Sequence, residues 1–145
     1  MAEHKIRLTW NDGGKPFTYE AYSREHQIAF KDGQDLLTAS ASPAYRGDGK
    51  HGDPEDMLVA ALSSCHMLSF LAICTKKKVT VESYEDDAVG FLENDGGKLW
   101  ITRVILHPKV ACNADAATLE QIHHLAHEAC FIANSVKTEV IVEPR

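Results

Sequence analysis

The chain has neither the basic charge nor the cysteine density that mark several large classes of protein. It has 15 Lys and Arg against 21 Asp and Glu, so its formal net charge is −6. A nucleic-acid partner is therefore not expected, because binding one usually needs a basic face. The N-terminal stretch MAEHKIRLTW has no apolar core segment, and no signal peptide is predicted. Without repeats, low-complexity tracts or linkers, residues 1–145 are predicted to form a single domain.

Cysteine is scarce, with four residues in a chain of 145, which is too sparse for a disulfide framework. A reducing, cytoplasmic location is the expectation. Cys65 lies in the helix signature DPEDMLVAALSSCHML, and Cys130 lies in LAHEACFIANS. Two thiols on separate helices suggest redox chemistry, because one can attack an oxidant and the other can close a disulfide. The alternative is that both are buried packing cysteines, which is how we interpret Cys74; Cys112 is interpreted as a bystander.

The first predicted helix has clear start signals. Asp53 is the predicted N-cap, Pro54 occupies the first helical position, and the helix is expected to run to about Thr75. From position 58 to 74 it contains no charged residue, a run slightly short for a membrane span, which needs roughly 20 apolar residues. We predict a central helix buried on nearly all sides. In a chain of this size, such burial requires a second subunit.

The remaining pattern alternates strands and turns, with one more helix. A second helix is predicted over residues 115–128, with a break or a short second piece near Cys130. The loop at 43–52 is rich in glycine and charge, as functional loops often are. Strands are predicted over HKIRLTW, FTYEAYS, HQIAF and LLTASA, over a hairpin from VTVESYEDDAVGFLE through NDGGK to LWITRVILHPKV, and over TEVIVEP.

Two cysteine motifs resemble those of the OsmC/Ohr family, the osmotically induced and organic hydroperoxide resistance thiol peroxidases. A proline-glutamate helix start followed ten residues later by cysteine matches Glu55 to Cys65, and the segment AHE-x-C matches AHEAC up to Cys130. Arg24 stands nine residues before a glycine turn, as in the Ohr branch, and Arg46 lies in the loop before the helix, as in the OsmC branch. The Ohr branch has proline where this chain has phenylalanine after the second cysteine, so the resemblance is to a divergent member.

The resemblance implies an α+β fold in which antiparallel sheets wrap around a long buried central helix in an intertwined homodimer. It implies a peroxidase in which the Cys65 thiolate attacks the O–O bond of a peroxide and Cys130 resolves the sulfenic acid. Arg24, ranked ahead of Arg46, would hold the thiolate, and Glu55 would orient that arginine. No bound cofactor and no membrane are expected. The reductant would be an external dithiol, which in the family is often a lipoyl group.

Two alternatives remain at this stage. His123 and His127 are four residues apart on one helical face, and with Cys130 and either His124 or His66 they form a candidate metal site. The other alternative is a non-catalytic module that binds an apolar ligand beside the central helix. Such a module would need neither thiol.

Overall fold

The computed structural model describes residues 1–145, which form two compact units, Met1–Met57 and Leu58–Arg145. The first unit contains an antiparallel sheet of three strands in the order β1-β2-β3. The turn between the second and third strands contains the predicted glycine turn, with Gly33 at a φ of 90°. The strands are β1 (Ile6–Thr9), β2 (His26–Phe30) and β3 (Asp35–Ala39).

The predicted strand over FTYEAYS is wrong. This segment forms turns, in which the Thr18 carbonyl accepts hydrogen bonds from the amides of Ala21 and Tyr22. The Arg24 guanidinium donates to the carbonyls of Tyr19 and Tyr22, at 2.6 Å each. A backbone whose carbonyls are satisfied locally has no need of a neighbouring strand, and the period-2 pattern does not reveal this.

Helix α1 (Pro54–Lys76) has the predicted start and ends close to the predicted residue. The Asp53 carboxylate accepts from the amide of Asp56 at 2.9 Å, which satisfies one of the free amides of the first turn. At the other end the amide of Val79 donates to the carbonyl of Cys74, and the amide of Lys78 donates to Thr75. With Lys78 at a φ of 58°, this is the Schellman arrangement that closes many helices.

The second unit contains two sheets and the second helix, α2. The predicted long hairpin is divided in two, because the chain breaks at 87–88 and at 107. Its outer strands pair with each other in one antiparallel sheet, and its inner strands belong to another, which the last strand joins in parallel. The elements are β4 (Val81–Asp86), β5 (Val89–Asp95), β6 (Lys98–Leu106), β7 (Pro108–Cys112), α2 (Ala116–Ala129) and β8 (Glu139–Val142).

Helix α1 joins the two apolar clusters of the second unit. Leu62 packs against Ile101 and Val104 of β6, with β8 contributing to the same cluster. Further along the helix, Phe70 packs with Ile122 of α2 in a second cluster, against which residues of β4 and β7 also pack. The predicted α+β class with antiparallel sheets is confirmed.

Within one chain, α1 is buried along a single stripe. Its buried residues are Leu62, His66, Phe70 and Cys74, whereas Leu68 on the opposite side is 60% exposed. By length and composition alone α1 could also cross a membrane, since its most apolar window has a mean hydropathy of 2.0. Core helices of soluble proteins meet the same criterion. Burial on nearly all sides stays a prediction about an assembly.

Candidate active site

The structure brings Cys65 and Cys130 together. Cys65 lies on α1 and is half-buried, whereas Cys130 caps the C-terminus of α2 and is 2% exposed. Both are free thiols, and they lie close enough together for Cys65 to raise the pKa of Cys130. The helix ends at Cys130 because its backbone turns to an extended conformation, with a ψ of 109°. The C-terminus of α2 therefore presents a thiol to the middle of α1.

The surroundings of Cys130 favour its protonated form. Burial raises the pKa of the Cys130 thiol, and the adjacent Cys65 acts in the same direction. The amide of Ala133 lowers that pKa to a smaller extent by donating to the sulfur at 3.5 Å. A buried neutral thiol is a poor first target for an oxidant, so the more exposed Cys65 is the better candidate for the initial attack.

A buried pair of histidines, His66 on α1 and His123 on α2, also joins the two helices, and His66 directly follows Cys65. Nε2 of His66 is 3.1 Å from Nδ1 of His123 on α2, and the two residues are 1% and 4% exposed. Burial is the main cause that lowers the pKa of each imidazole to about 4. Both rings are therefore neutral at physiological pH. Nδ1 of His66 and Nδ1 of His127 are buried without a hydrogen-bond partner.

The His66–His123 pair lies along α1 between the two apolar clusters, and an acidic residue at the end of β4, Asp86, belongs to the same polar layer. Asp86 accepts hydrogen bonds from the Ser63 hydroxyl and, at 2.7 Å, from the amide of His107. Its charge raises the pKa of His66 and of His123, but less than burial lowers them. The neighbouring Tyr84 hydroxyl is buried without a partner, and burial raises its pKa.

The two arginines predicted from the sequence lie in the first unit and approach the same tyrosine. The Arg24 guanidinium carbon is 5.0 Å from the centre of the Tyr19 ring and 3.6 Å from that of Tyr22. The guanidinium carbon of Arg46 is 5.4 Å from the Tyr19 ring. Glu55 forms no ion pair with either arginine within the chain. The roles of these three residues stay predictions.

Arg24 also lines an aromatic cleft in the first unit, with a volume of about 460 Å³. Trp10, Phe17 and Tyr22 contact one another through their rings in this cleft, with centroids 5.5 to 6.2 Å apart. A concave apolar surface with one charged group is typical of a site for a small organic molecule.

The histidines do not assemble the metal site considered from the sequence. His124 faces away, 3.4 Å from Glu128, and is largely exposed. One set of three side chains has ligand atoms within 4.8 Å of one another, namely Glu25, Asp48 and His51. It lies in the first unit, is exposed or half-exposed, and includes the pair of His51 and Asp48 at 2.6 Å. A hydrogen bond between two partly exposed side chains explains that set without a metal.

Comparison with known proteins identifies the family. A family model described as OsmC-like protein matches residues 47–145. The chain belongs to the OsmC-like family. The family match starts in the loop that contains Arg46 and covers both helices with their cysteines.

Two solved structures and one curated relative are similar to this chain over most or all of its length. An OsmC-like protein of unknown function from Vibrio cholerae is 46% identical, with a TM-score of 0.92 and full coverage of both chains. The organic hydroperoxide resistance protein OhrB of Bacillus subtilis has a TM-score of 0.72 at 15% identity, over 99% of this chain and 98% of that chain. The uncharacterized protein YmaD of Bacillus subtilis is 23% identical over 93% of this chain and 83% of its own length.

Sequence reasoning missed the contact between His66 and His123. The sequence does contain a signal for it: His66 lies four residues after Leu62 and four before Phe70, on the helical stripe that is buried in the structure. It also missed the proximity of the other two cysteines of this OsmC-like chain. Cys74 packs in the second apolar cluster, as interpreted, but Cys112 lies close enough to contribute to raising its pKa.

Proposed function

We propose that this OsmC-like protein is a thiol-dependent peroxidase that reduces organic hydroperoxides in defence against oxidative stress. The observation that supports it most directly is the contact between the half-buried Cys65 and the buried Cys130. A pair of thiols on two different helices can form a disulfide by a small movement, without unfolding either helix. Relatives with the same fold include proteins named for organic hydroperoxide resistance.

In the proposed reaction the Cys65 thiolate attacks one oxygen of the hydroperoxide and breaks the O–O bond. The departing alkoxide takes a proton and leaves as an alcohol, and Cys65 becomes a sulfenic acid. The Cys130 thiol then attacks the Cys65 sulfur, releasing water and closing the disulfide. An external dithiol, such as a lipoyl group, reduces the disulfide by exchange. No bound cofactor is required, and the cycle suits a reducing cytoplasm.

Free-thiol counting tests this proposal directly. One equivalent of an organic hydroperoxide should remove two thiols, and peptide mapping should place them at Cys65 and Cys130. Cys65→Ser should abolish dithiol-dependent peroxide consumption, and Cys130→Ser should leave a sulfenic acid that dimedone traps. Cys74→Ser and Cys112→Ser are the matched controls and should retain turnover. Turnover that persists in Cys65→Ser would refute the assignment.

We assign the activation of Cys65 to an arginine, with Arg24 ranked ahead of Arg46. The guanidinium would stabilise the thiolate and hold the peroxide oxygens, and Glu55 would orient it, from the partner subunit if the two meet only in a dimer. Removing the charge should leave less of Cys65 as the reactive thiolate at neutral pH. Iodoacetamide alkylation followed against pH should therefore shift further in Arg24→Met than in Arg46→Met. An unshifted profile in Arg24→Met would reject the ranking.

A homodimer is part of the proposal. The exposed side of α1 is apolar around Leu68, and Ile6, Leu8 and Leu36 of the first unit are each more than half exposed. Leaving these side chains in water forgoes roughly 1.5–3 kcal/mol each. Light scattering at micromolar concentration should give twice the chain mass, and Leu68→Lys should reduce it to the chain mass. A monomeric wild-type protein would contradict the dimer.

The aromatic cleft favours one alternative, a module that binds a small organic ligand without chemistry. Its volume of about 460 Å³ and its Trp10, Phe17 and Tyr22 walls fit an apolar molecule. The double variant Cys65→Ser/Cys130→Ser distinguishes the two functions. If the function is ligand binding, this variant should still bind the ligand. If the function is peroxidase activity, this variant should no longer consume peroxide.

A further inference from the structure

The two buried imidazoles of the second unit meet edge to edge, not face to face. The ring planes differ by only 5°, yet the centroids are 5.4 Å apart while the nearest nitrogens are 3.1 Å apart. The difference between these distances equals about two ring radii, so the nitrogens lie on the line that joins the centroids. This is the geometry of a straight N–H···N hydrogen bond between Nε2 of His66 and Nδ1 of His123.

The hydrogen bond joins the two helices that carry the thiols. His66 directly follows Cys65 on α1, and His123 lies seven residues, or about 10 Å, before Cys130 along α2. Both rings are nearly inaccessible to water, and Phe70 stacks on His123 with centroids 4.3 Å apart. A hydrogen bond with no competing water is directional, whereas the flanking clusters join the elements through apolar side chains.

We propose that His66 and His123 are positioning residues that hold α1 and α2 in the register that keeps Cys65 against Cys130. They touch neither the thiols nor a peroxide in this role. Their hydrogen bond sets how readily the disulfide closes. The inference deepens the proposed peroxidase function, since it names what aligns the resolving thiol. It concerns disulfide closure itself, which any oxidant can drive.

The atoms of the bond define variants that keep it and variants that remove it. An asparagine at 123 places its amide group where Nδ1 now lies, and a glutamine at 66 places its amide group where Nε2 now lies. His123→Asn and His66→Gln therefore retain a hydrogen bond across the helices. His123→Leu and His66→Leu fill the space without one. His124→Leu, on the exposed side of α2, is the matched control.

The test is the equilibrium between the Cys65–Cys130 dithiol and its disulfide in glutathione redox buffers. All variants carry Cys74→Ser and Cys112→Ser, so that only one thiol pair titrates. We expect the equilibrium constant for closure to fall about tenfold in each leucine variant, the scale of one net hydrogen bond. The Asn and Gln variants should recover most of that loss, and His124→Leu should match the parent.

Closure within twofold of the parent in both leucine variants would overturn the proposal. So would equal losses in the leucine and amide variants, which would indicate general packing and not the hydrogen bond. If a single leucine variant does not fold, the double variant His66→Leu/His123→Leu, whose two apolar side chains pack on each other, takes its place and should show the same loss. Because glutathione replaces the peroxide, a protein without peroxidase activity still gives a decisive result.

Discussion

Mild acid should destabilise this protein through its buried histidine pair. The pKa of His66 and of His123 is lowered to about 4 in the folded chain, against an ordinary value of 6.5. Between these values the unfolded chain binds protons that the folded chain does not. Stability is therefore fully present above pH 6.5 and is lost as the pH falls toward 4.

The size of the loss follows from the two pKa values. At pH 5 an unfolded histidine is almost fully protonated, whereas the folded one remains neutral. Linkage then gives about 2 kcal/mol for one histidine between pH 7 and pH 5. The pair gives up to about 4 kcal/mol, a large fraction of the 5–15 kcal/mol that is typical of a folded domain. The depressed pKa values of Asp48, held at about 2, and of Asp115 act in the same direction but only near and below pH 4.

Urea unfolding at pH 7, 6 and 5 measures this loss, with protomer concentration and salt held constant. The double variant His66→Leu/His123→Leu should lose most of the pH dependence, and His124→Gln should behave like the wild type because His124 is exposed. A wild-type free energy of unfolding that is unchanged between pH 7 and pH 5 would refute the reasoning. A double variant with the full wild-type slope would assign the effect to other groups.

Two further predictions concern backbone positions. A Cβ added at Gly90 would lie 2.5 Å from Cγ2 of Val59 on α1, so Gly90→Ala should lower the free energy of unfolding in urea by about 1–3 kcal/mol. A Cβ added at Gly52 would meet nothing closer than 3.9 Å, so Gly52→Ala should change stability by less than half as much. Equal effects of the two substitutions would contradict the close approach at Gly90. The Asp115 carboxylate accepts a hydrogen bond from the amide of Thr118 at 2.8 Å, at the start of α2. Asp115→Ala should therefore lower the free energy of unfolding by about 1 kcal/mol, and Asp115→Asn by much less. Similar losses in both variants would show that the helix cap is not the cause.

The elements that the sequence predicted well are those whose signals are local. The starts of both helices follow from capping residues, and the hairpin between β5 and β6 follows from the glycines of NDGG, where Gly96 and Gly97 adopt φ values of 60° and 81°. Pairing is not local. The breaks after Asp86 and at His107 move β4 and β7 into a sheet of their own. Nothing in the alternation of VTVESYEDDAVGFLE distinguishes one long strand from two short ones.

The candidate site shows the same limit at the level of single side chains. Each cysteine motif predicts a thiol on a helix, but the contact between Cys65 and Cys130 depends on how α1 and α2 cross, and the spacing within either helix does not encode that crossing. Side chains that fix the crossing must lie on the buried faces of the two helices, one on each, and must make a directional contact. His66 and His123 meet both conditions, since they are buried in an apolar layer and joined by a hydrogen bond. A polar residue on an apolar helical stripe is therefore the feature to follow in such a sequence, because its partner identifies the neighbouring helix.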